Sequence, residues 1–161
     1  MADLGKNIDA TLRYLSGTEA GDAAAARKAK EIVGGKEYRE QFLDGYIEAA
    51  LWSSHDNSDP ETGGDPLDKN YGPEDVTSKT KAKMRKECDD FIRKAKKELT
   101  QAFEQGMNAG SAGHDFWLTR NGHGAGYWDR DLGDVGDELS EKAKQYGERY
   151  LYAENGKVYQ E

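Results

Sequence analysis

The sequence predicts an α+β fold, with a helical N-terminal two-thirds built around one long scaffold helix and a small antiparallel sheet in a C-terminal ββαββ order. Two observations lead to this prediction. Up to about residue 105, apolar residues recur every three or four positions, which is the period of an amphipathic helix. After residue 113, short aromatic runs alternate with glycine-rich or Asn-Gly turns, which is typical of β-hairpins.

The composition limits the size of the core and the kind of partner. Of the 161 residues, 35% are hydrophobic and 34% are charged, so we expect a single domain with a modest core. The net charge of −8 disfavours direct binding to nucleic acid, which needs surplus Lys and Arg. It could attract a basic protein surface, but in most proteins such a charge serves only solubility. With one cysteine, and no run resembling a signal peptide or membrane span, a cytoplasmic protein that does not bind membranes is expected.

Residues 1–35 are predicted to form a helical N-terminal arm. One short helix is expected at 7–15, and a second from Asp22, its N-cap, to Val33, where a Gly-Gly pair ends it. The second helix is rich in alanine and has few large apolar residues, so we expect it to pack weakly. Residues 36–161 are predicted to form a single α+β domain.

This domain is predicted to begin with two helices separated by an acidic loop at 54–72. The first helix spans roughly 36–53, and the scaffold helix runs from Pro73 to about Gln105. Cys88 lies in its apolar stripe, so we expect a buried small hydrophobe rather than a nucleophile. The carboxylates of the loop could bind calcium, but the residue order of an EF-hand is missing, and a solvated surface loop is the simpler interpretation.

The last third is predicted to contain two hairpins around one helix. The first hairpin pairs 116–120 with 127–129 across a wide glycine loop at 121–126. A helix capped by Asp134 follows. The second hairpin has Asn155-Gly156 at its turn, where both positions need positive φ.

The stretch from His114 to Arg130 is the predicted functional centre, because aromatic, histidine and arginine residues are concentrated there around glycines. These glycines allow a close approach of the backbone to a ligand, and exposed amides could form an anion site with an arginine as charged donor. The alternative is a hairpin tip that uses glycine only for turning. The candidate binding residues are Arg120, Asn121, Gly122, His123, Gly124, Gly126, Trp128 and Arg130.

Catalysis is a second interpretation of the same loop. His123 could act as a general acid or base if Asp129 or Asp115 orients it, but no known catalytic motif accompanies it. The histidines and Cys88 do not have the spacing of a zinc module, so we expect neither a metal nor a cofactor. Of Trp117 and Trp128, any one that stays exposed would be a natural anchor for a partner.

The chain resembles a family of small, uncharacterised tailed-bacteriophage proteins. The resemblance is carried by the segment Asp115–Gly133, with the sequence DFWLTRNGHGAGYWDRDLG, by an ending like Leu151-Tyr152 and Gly156-Lys157-Val158-Tyr159, and weakly by 46–52. The family brings no established activity with it. The resemblance implies a phage accessory protein.

Three functions follow as hypotheses. The first is binding to a host protein in the host cytoplasm, for example a component of host defence or nucleic-acid metabolism, with an acidic surface that imitates DNA. The second is a small enzyme or ligand-binding protein that holds a phosphate or nucleotide in the glycine-rich segment 120–129. The third is a virion-associated structural protein. The sequence leaves the oligomeric state open.

Overall fold

A computed structural model describes residues 19–58, 61 and 64–161, and the helix predicted at 7–15 lies outside the described residues. Within these residues the chain forms a mostly helical α+β fold, which confirms the predicted class. Short 3-10 turns lie at Leu67–Lys69, Pro73–Asp75 and Tyr127–Asp129. The helices are α1 (Glu19–Ile32), α2 (Lys36–Ser53), α3 (Ser78–Lys94), α4 (Lys96–Glu104), α5 (Ala109–Arg120) and α6 (Asp134–Lys144), and the strands are β1 (Leu151–Glu154) and β2 (Lys157–Gln160).

The first predicted hairpin is wrong, because its strands are the end of helix α5 and a 3-10 turn. Asn108 caps α5 by accepting a hydrogen bond from the Ser111 amide at 2.8 Å. Residues 115–120 are then all buried, so this half of the helix has no polar face. A short apolar run without a helical period cannot be distinguished from a strand by its pattern. In the predicted ββαββ order, the first two strands are therefore replaced by α5 and the 3-10 turn, and only helix α6 and the hairpin β1–β2 remain.

The scaffold helix is divided, which corrects the prediction of one long helix. Pro73–Asp75 form a separate 3-10 turn, because Val76 leaves it in an extended conformation and joins the sheet. Thr77 then caps α3. A second interruption at Ala95, with φ −106 and ψ 19, separates α3 from α4. The apolar spacing does not reveal this break, because Ala95 remains buried within the same stripe.

Helices α2 and α5 form the closest contact in the fold, and glycines make it possible. A methyl group on Gly45 would lie 2.7 Å from the carbonyl carbon of Gly110, and one on Gly113 would lie 2.7 Å from that of Phe42. Both distances are too short for any side chain. The two helix backbones therefore pack directly against each other.

An aromatic cluster fills the space between these helices and α3. Phe91 of α3 stacks on Phe116 of α5, with ring centroids 4.1 Å apart and planes 8° apart. Phe42 and Tyr46 of α2 pack against Phe116 at 6.0 and 5.3 Å. Cys88 is 0% exposed beside this cluster, which confirms that it is buried.

The C-terminal hairpin is confirmed. β1 and β2 pair antiparallel in the register Leu151↔Gln160 to Glu154↔Lys157, and the turn residues Asn155 and Gly156 have φ of 52 and 77. The outer edge of β2 is held by the Thr77 amide, which donates to the Val158 carbonyl at 3.1 Å. The sheet is thereby attached to the start of α3.

The N-terminal helix and the acidic segment contribute further core residues. α1 begins three residues before the predicted cap Asp22, and Ala29 and Val33 at its C-terminal end are buried. In the acidic segment, Leu67 is fully buried, whereas Asp56 is 5% exposed and accepts a hydrogen bond from the Ser58 amide at 3.0 Å. None of the helices among the described residues has the length and apolarity needed to cross a membrane.

Candidate functional site

The predicted functional stretch forms the second half of α5, a loop at 121–126 and the 3-10 turn Tyr127–Asp129. Gly122, with φ of +68, ends the helix. Its amide donates to the Thr119 carbonyl at 3.2 Å, and the His123 amide donates to the Leu118 carbonyl at 3.0 Å. These two amides therefore satisfy helix carbonyls and do not contribute to an anion site.

Arg120 is a core residue, which corrects its assignment as a ligand contact. Its residue exposure is 3%, and every guanidinium nitrogen donates a hydrogen bond. Nε donates to the Gly147 carbonyl and Nη2 to the Tyr146 carbonyl, both at 2.8 Å, while Nη1 donates to Tyr46 Oη at 3.0 Å and to the Glu87 carboxylate. Arg120 thus joins four segments of the fold, and its side chain is 0% exposed, so a phosphate cannot reach the guanidinium.

Arg130 and Asp115 form a clamp that fixes the 3-10 turn against α5. Asp115 is 1% exposed and accepts bidentate hydrogen bonds from Arg130 Nε at 2.8 Å and Nη2 at 2.9 Å. Burial alone would raise the pKa of the Asp115 carboxyl, but interactions with His114 and Arg130 outweigh it and hold that pKa below its ordinary value. The clamp is therefore charged at neutral pH.

Tyr127 anchors the same turn from the other side. Its side chain is fully buried, and its hydroxyl donates to the Ala112 carbonyl at 2.5 Å. Its amide donates to Thr119 Oγ1 at 3.2 Å. A side chain on Gly126 would collide with Thr119, so this glycine permits the close approach of the turn to the helix.

The two tryptophans of the stretch have opposite environments. Trp117 is 2% exposed, and its indole Nε1 donates to Ser53 Oγ at 2.8 Å. Trp128 is 49% exposed although its neighbours Tyr127 and Arg130 are both fixed to α5. Among the described residues, the other exposed large hydrophobic side chains are Trp52, Tyr150 and Tyr152.

The remaining candidates do not converge on one site. Gly124, Asp129 and His123 are exposed, and among the described residues no hydrogen bond or ion pair joins His123 to Asp129 or Asp115. The general acid/base pair considered as a second interpretation is therefore not assembled. The Asn121 side chain stabilises the fold: its Nδ2 donates to the Trp117 carbonyl, and its Oδ1 accepts from the Arg149 amide.

Two separate cavities border the stretch. Arg130 lines one of about 530 Å³ together with His114, Asp115 and Glu48. Asn121 and His123 line another of about 520 Å³ together with His55, Leu151 and Tyr152. A larger groove of about 970 Å³ follows α3 and contains none of the candidate residues.

The second of these cavities brings in residues that the sequence analysis missed. Leu151 and Tyr152 belong to β1, and Tyr150 and Tyr152 are 59% and 42% exposed. The sequence does carry a signal for them, because alternating apolar and polar residues before an Asn-Gly turn place every second side chain in solvent. The cavity itself depends on the distant His55, so no local pattern reveals it.

Comparisons of the chain with models of known families, with curated proteins and with solved structures find no match.

Proposed function

We propose that this protein acts by binding another protein, with Trp128 as the anchor of the contact. The observation that carries the proposal is that Trp128 is 49% exposed on a turn fixed at both ends by Tyr127 and the Arg130–Asp115 clamp. Tryptophan is among the residues that dominate binding energies at interfaces. A side chain already held on a rigid turn loses little conformational entropy when it binds.

The charge around Trp128 indicates a basic partner. Exposed carboxylates follow it along the 3-10 turn and α6: Asp129, Asp131, Asp134, Asp137, Glu138 and Glu141. Together with the net charge of −8, they would attract a basic surface and accelerate its association. An aromatic anchor surrounded by carboxylates is suited to a protein that normally binds DNA.

The resemblance to phage proteins suggests a partner from the host cytoplasm. We propose an accessory protein that binds a host protein of defence or nucleic-acid metabolism through an acidic surface that imitates DNA. This form of the proposal requires that electrostatic attraction makes a large contribution to the complex. The attraction weakens with salt, because the Debye length shortens from about 10 Å at 0.1 M to about 3 Å at 1 M.

A pull-down from bacterial lysate tests the proposal. The wild-type protein is expected to retain a stoichiometric partner, Trp128→Ala to lose it, and the matched control Trp52→Ala, which removes an indole 54% exposed on α2, to keep it. Equal retention by wild type and Trp128→Ala would refute the role of Trp128. A complex that persists unchanged in about 1 M salt would refute the imitation of DNA.

A further inference from the structure

None of the described residues pairs with the outer edge of strand β1. In an antiparallel pair, the N–H and C=O of one residue point to the same side, and successive residues alternate. The Glu161 amide donates to the Tyr150 carbonyl at 2.9 Å, so Tyr150 and Tyr152 direct their backbone groups towards β2. Leu151 and Ala153 therefore direct two amides and two carbonyls away from it, and these four groups have no hydrogen-bond partner among the described residues.

The opposite edge of the sheet is covered, which leaves β1, within the described part of the chain, as the edge to which another strand can add. At that edge, the Val158 carbonyl accepts from the Thr77 amide at 3.1 Å, and the Gln160 amide donates to Thr80 Oγ1 at 3.3 Å. An uncovered strand edge is a template for pairing with another chain. The hairpin thus has one protected side and one side whose backbone groups are unpaired within the described ranges.

The cavity of about 520 Å³ provides the space beside this edge. Leu151 and Tyr152 of β1 line it together with His55, Asn57 and His123. Its volume lies within the range of ordinary ligand sites, about 300–1,000 Å³. An extended segment lying in it would direct alternate side chains into the cavity and towards the tyrosines on the outer face.

The outer face beside the edge is aromatic and acidic. Tyr152 stacks on Tyr159, with centroids 5.3 Å apart and planes 15° apart, and Tyr150 donates a hydrogen bond to the Glu148 carboxylate at 2.5 Å. Glu148 and Glu154 are both exposed. Tyrosine rings and carboxylates both attract lysine and arginine.

The nearby arginine does not cancel this charge. The Arg149 guanidinium lies 3.4 Å from the Glu87 carboxylate, and that ion pair turns it towards α3. Lys157 is exposed and pairs with Glu154 in the register of the sheet, so the attraction for a positively charged segment comes from Glu148 and the tyrosine rings.

We propose that a basic, extended segment of the partner protein adds to β1 as a third strand, with lysine or arginine side chains over Tyr150 and Tyr152. The added strand bonds to the free amides and carbonyls of Leu151 and Ala153, and its charge is recognised by Glu148 and the two tyrosine rings. This inference rests on the proposed function only in taking the partner to be a protein. It assigns that partner a chemistry and a mode of binding.

Peptide binding followed by NMR tests strand addition directly. The probe is the blocked peptide Arg-Val-Arg-Val-Arg, and its controls are the same peptide with every amide N-methylated and the acidic peptide Glu-Val-Glu-Val-Glu. The basic probe is expected to shift the Leu151 and Ala153 amide signals and protect them from exchange. The N-methylated control keeps the charge but lacks the donors, so we expect affinity at least about tenfold lower, or about 1.4 kcal/mol.

Variants of the protein give an independent measurement. Ala153→Pro removes an outward N–H while leaving the β1–β2 hydrogen bonds in place, as proline is tolerated on edge strands. We expect it to weaken the probe at least about tenfold, Tyr152→Ala to weaken it several-fold, and the surface control Arg93→Ala on α3 to leave it unchanged. If Ala153→Pro fails to fold, the N-methylated peptide still decides the question.

Two results would overturn strand addition: no shift of the Leu151 and Ala153 amides by the basic probe, or equal binding of the basic and N-methylated peptides. Neither result affects the role of Trp128, which the lysate experiment tests separately. Loss of the lysate partner with Trp128→Ala, together with a silent peptide titration, would leave protein binding supported and strand addition refuted.

Discussion

Replacing Gly113 by alanine should force α2 and α5 apart and destabilise the protein. The added methyl group would lie 2.7 Å from the carbonyl carbon of Phe42 and closer still to its oxygen, whereas ordinary contacts begin near 3.4 Å. Both partners are helix backbone, so no change of rotamer relieves the overlap. The helices must separate by at least about 0.7 Å.

The cost follows from the contacts that this separation weakens. A gap of about 0.5–1 Å removes a quarter to a half of the dispersion attraction between facing atoms. Overpacking a core typically costs about 1–3 kcal/mol, and α2 and α5 share the most extensive helix contact of the fold. We therefore expect a loss of about 3 kcal/mol or more in the free energy of unfolding, and a fall in Tm of roughly 6–12 °C.

Thermal and urea unfolding followed by far-UV circular dichroism measures this loss. The matched control is Gly110→Ala on the same helix, whose methyl group would lie 3.5 Å from Asn108 Oδ1 and 3.8 Å from the Gln41 carbonyl oxygen. Alanine favours helix by up to about 1 kcal/mol, so this control should be neutral or slightly stabilising. A Tm of Gly113→Ala within about 2 °C of the wild type would refute the direct backbone contact.

Three further predictions concern buried and paired charges. Arg120→Met should lower the free energy of unfolding by about 3 kcal/mol in urea titrations, because it leaves the groups around the guanidinium unpaired. The control Arg93→Ala removes a surface ion pair and should cost about 0–1 kcal/mol. Similar losses in the two variants would refute the structural role of Arg120. Tyr146→Phe should raise the Asp90 pKa from about 2 towards its ordinary value in an NMR titration, because the Tyr146 hydroxyl donates to that carboxylate at 2.7 Å; an unchanged pKa would contradict this bond. Folding lowers the pKa of Asp115, so its contribution to stability is complete above about pH 4, the unfolded value, and is lost as the pH falls through the folded pKa. Asp115→Asn should reduce this dependence of the free energy of unfolding on acid. An unaltered dependence on pH would contradict the clamp.

The candidate site could be predicted only in part, because its residues are recruited from distant segments. The concentration of aromatic residues in 114–130 did not show which of its two tryptophans is exposed, and the structure buries Trp117 and exposes Trp128. The pattern did not reveal that Arg120 is buried, since its partners Glu87 and Gly147 lie 33 and 27 positions away. It also missed the cavity at β1, where His55 meets Leu151.

By itself, the sequence determined the elements that local interactions stabilise. The period of apolar residues was sufficient for α2 and α6, and Asn155-Gly156 for the C-terminal turn, because positive φ is a property of the residue and its neighbours. Only the tertiary structure decided that 109–120 is a helix. The residues of α5 pack against neighbours over most of the helix surface, so their apolar pattern does not distinguish helix from strand. The helix fits because glycines let α2 approach its backbone. The sequences of α2 and α5, each taken alone, do not show this contact.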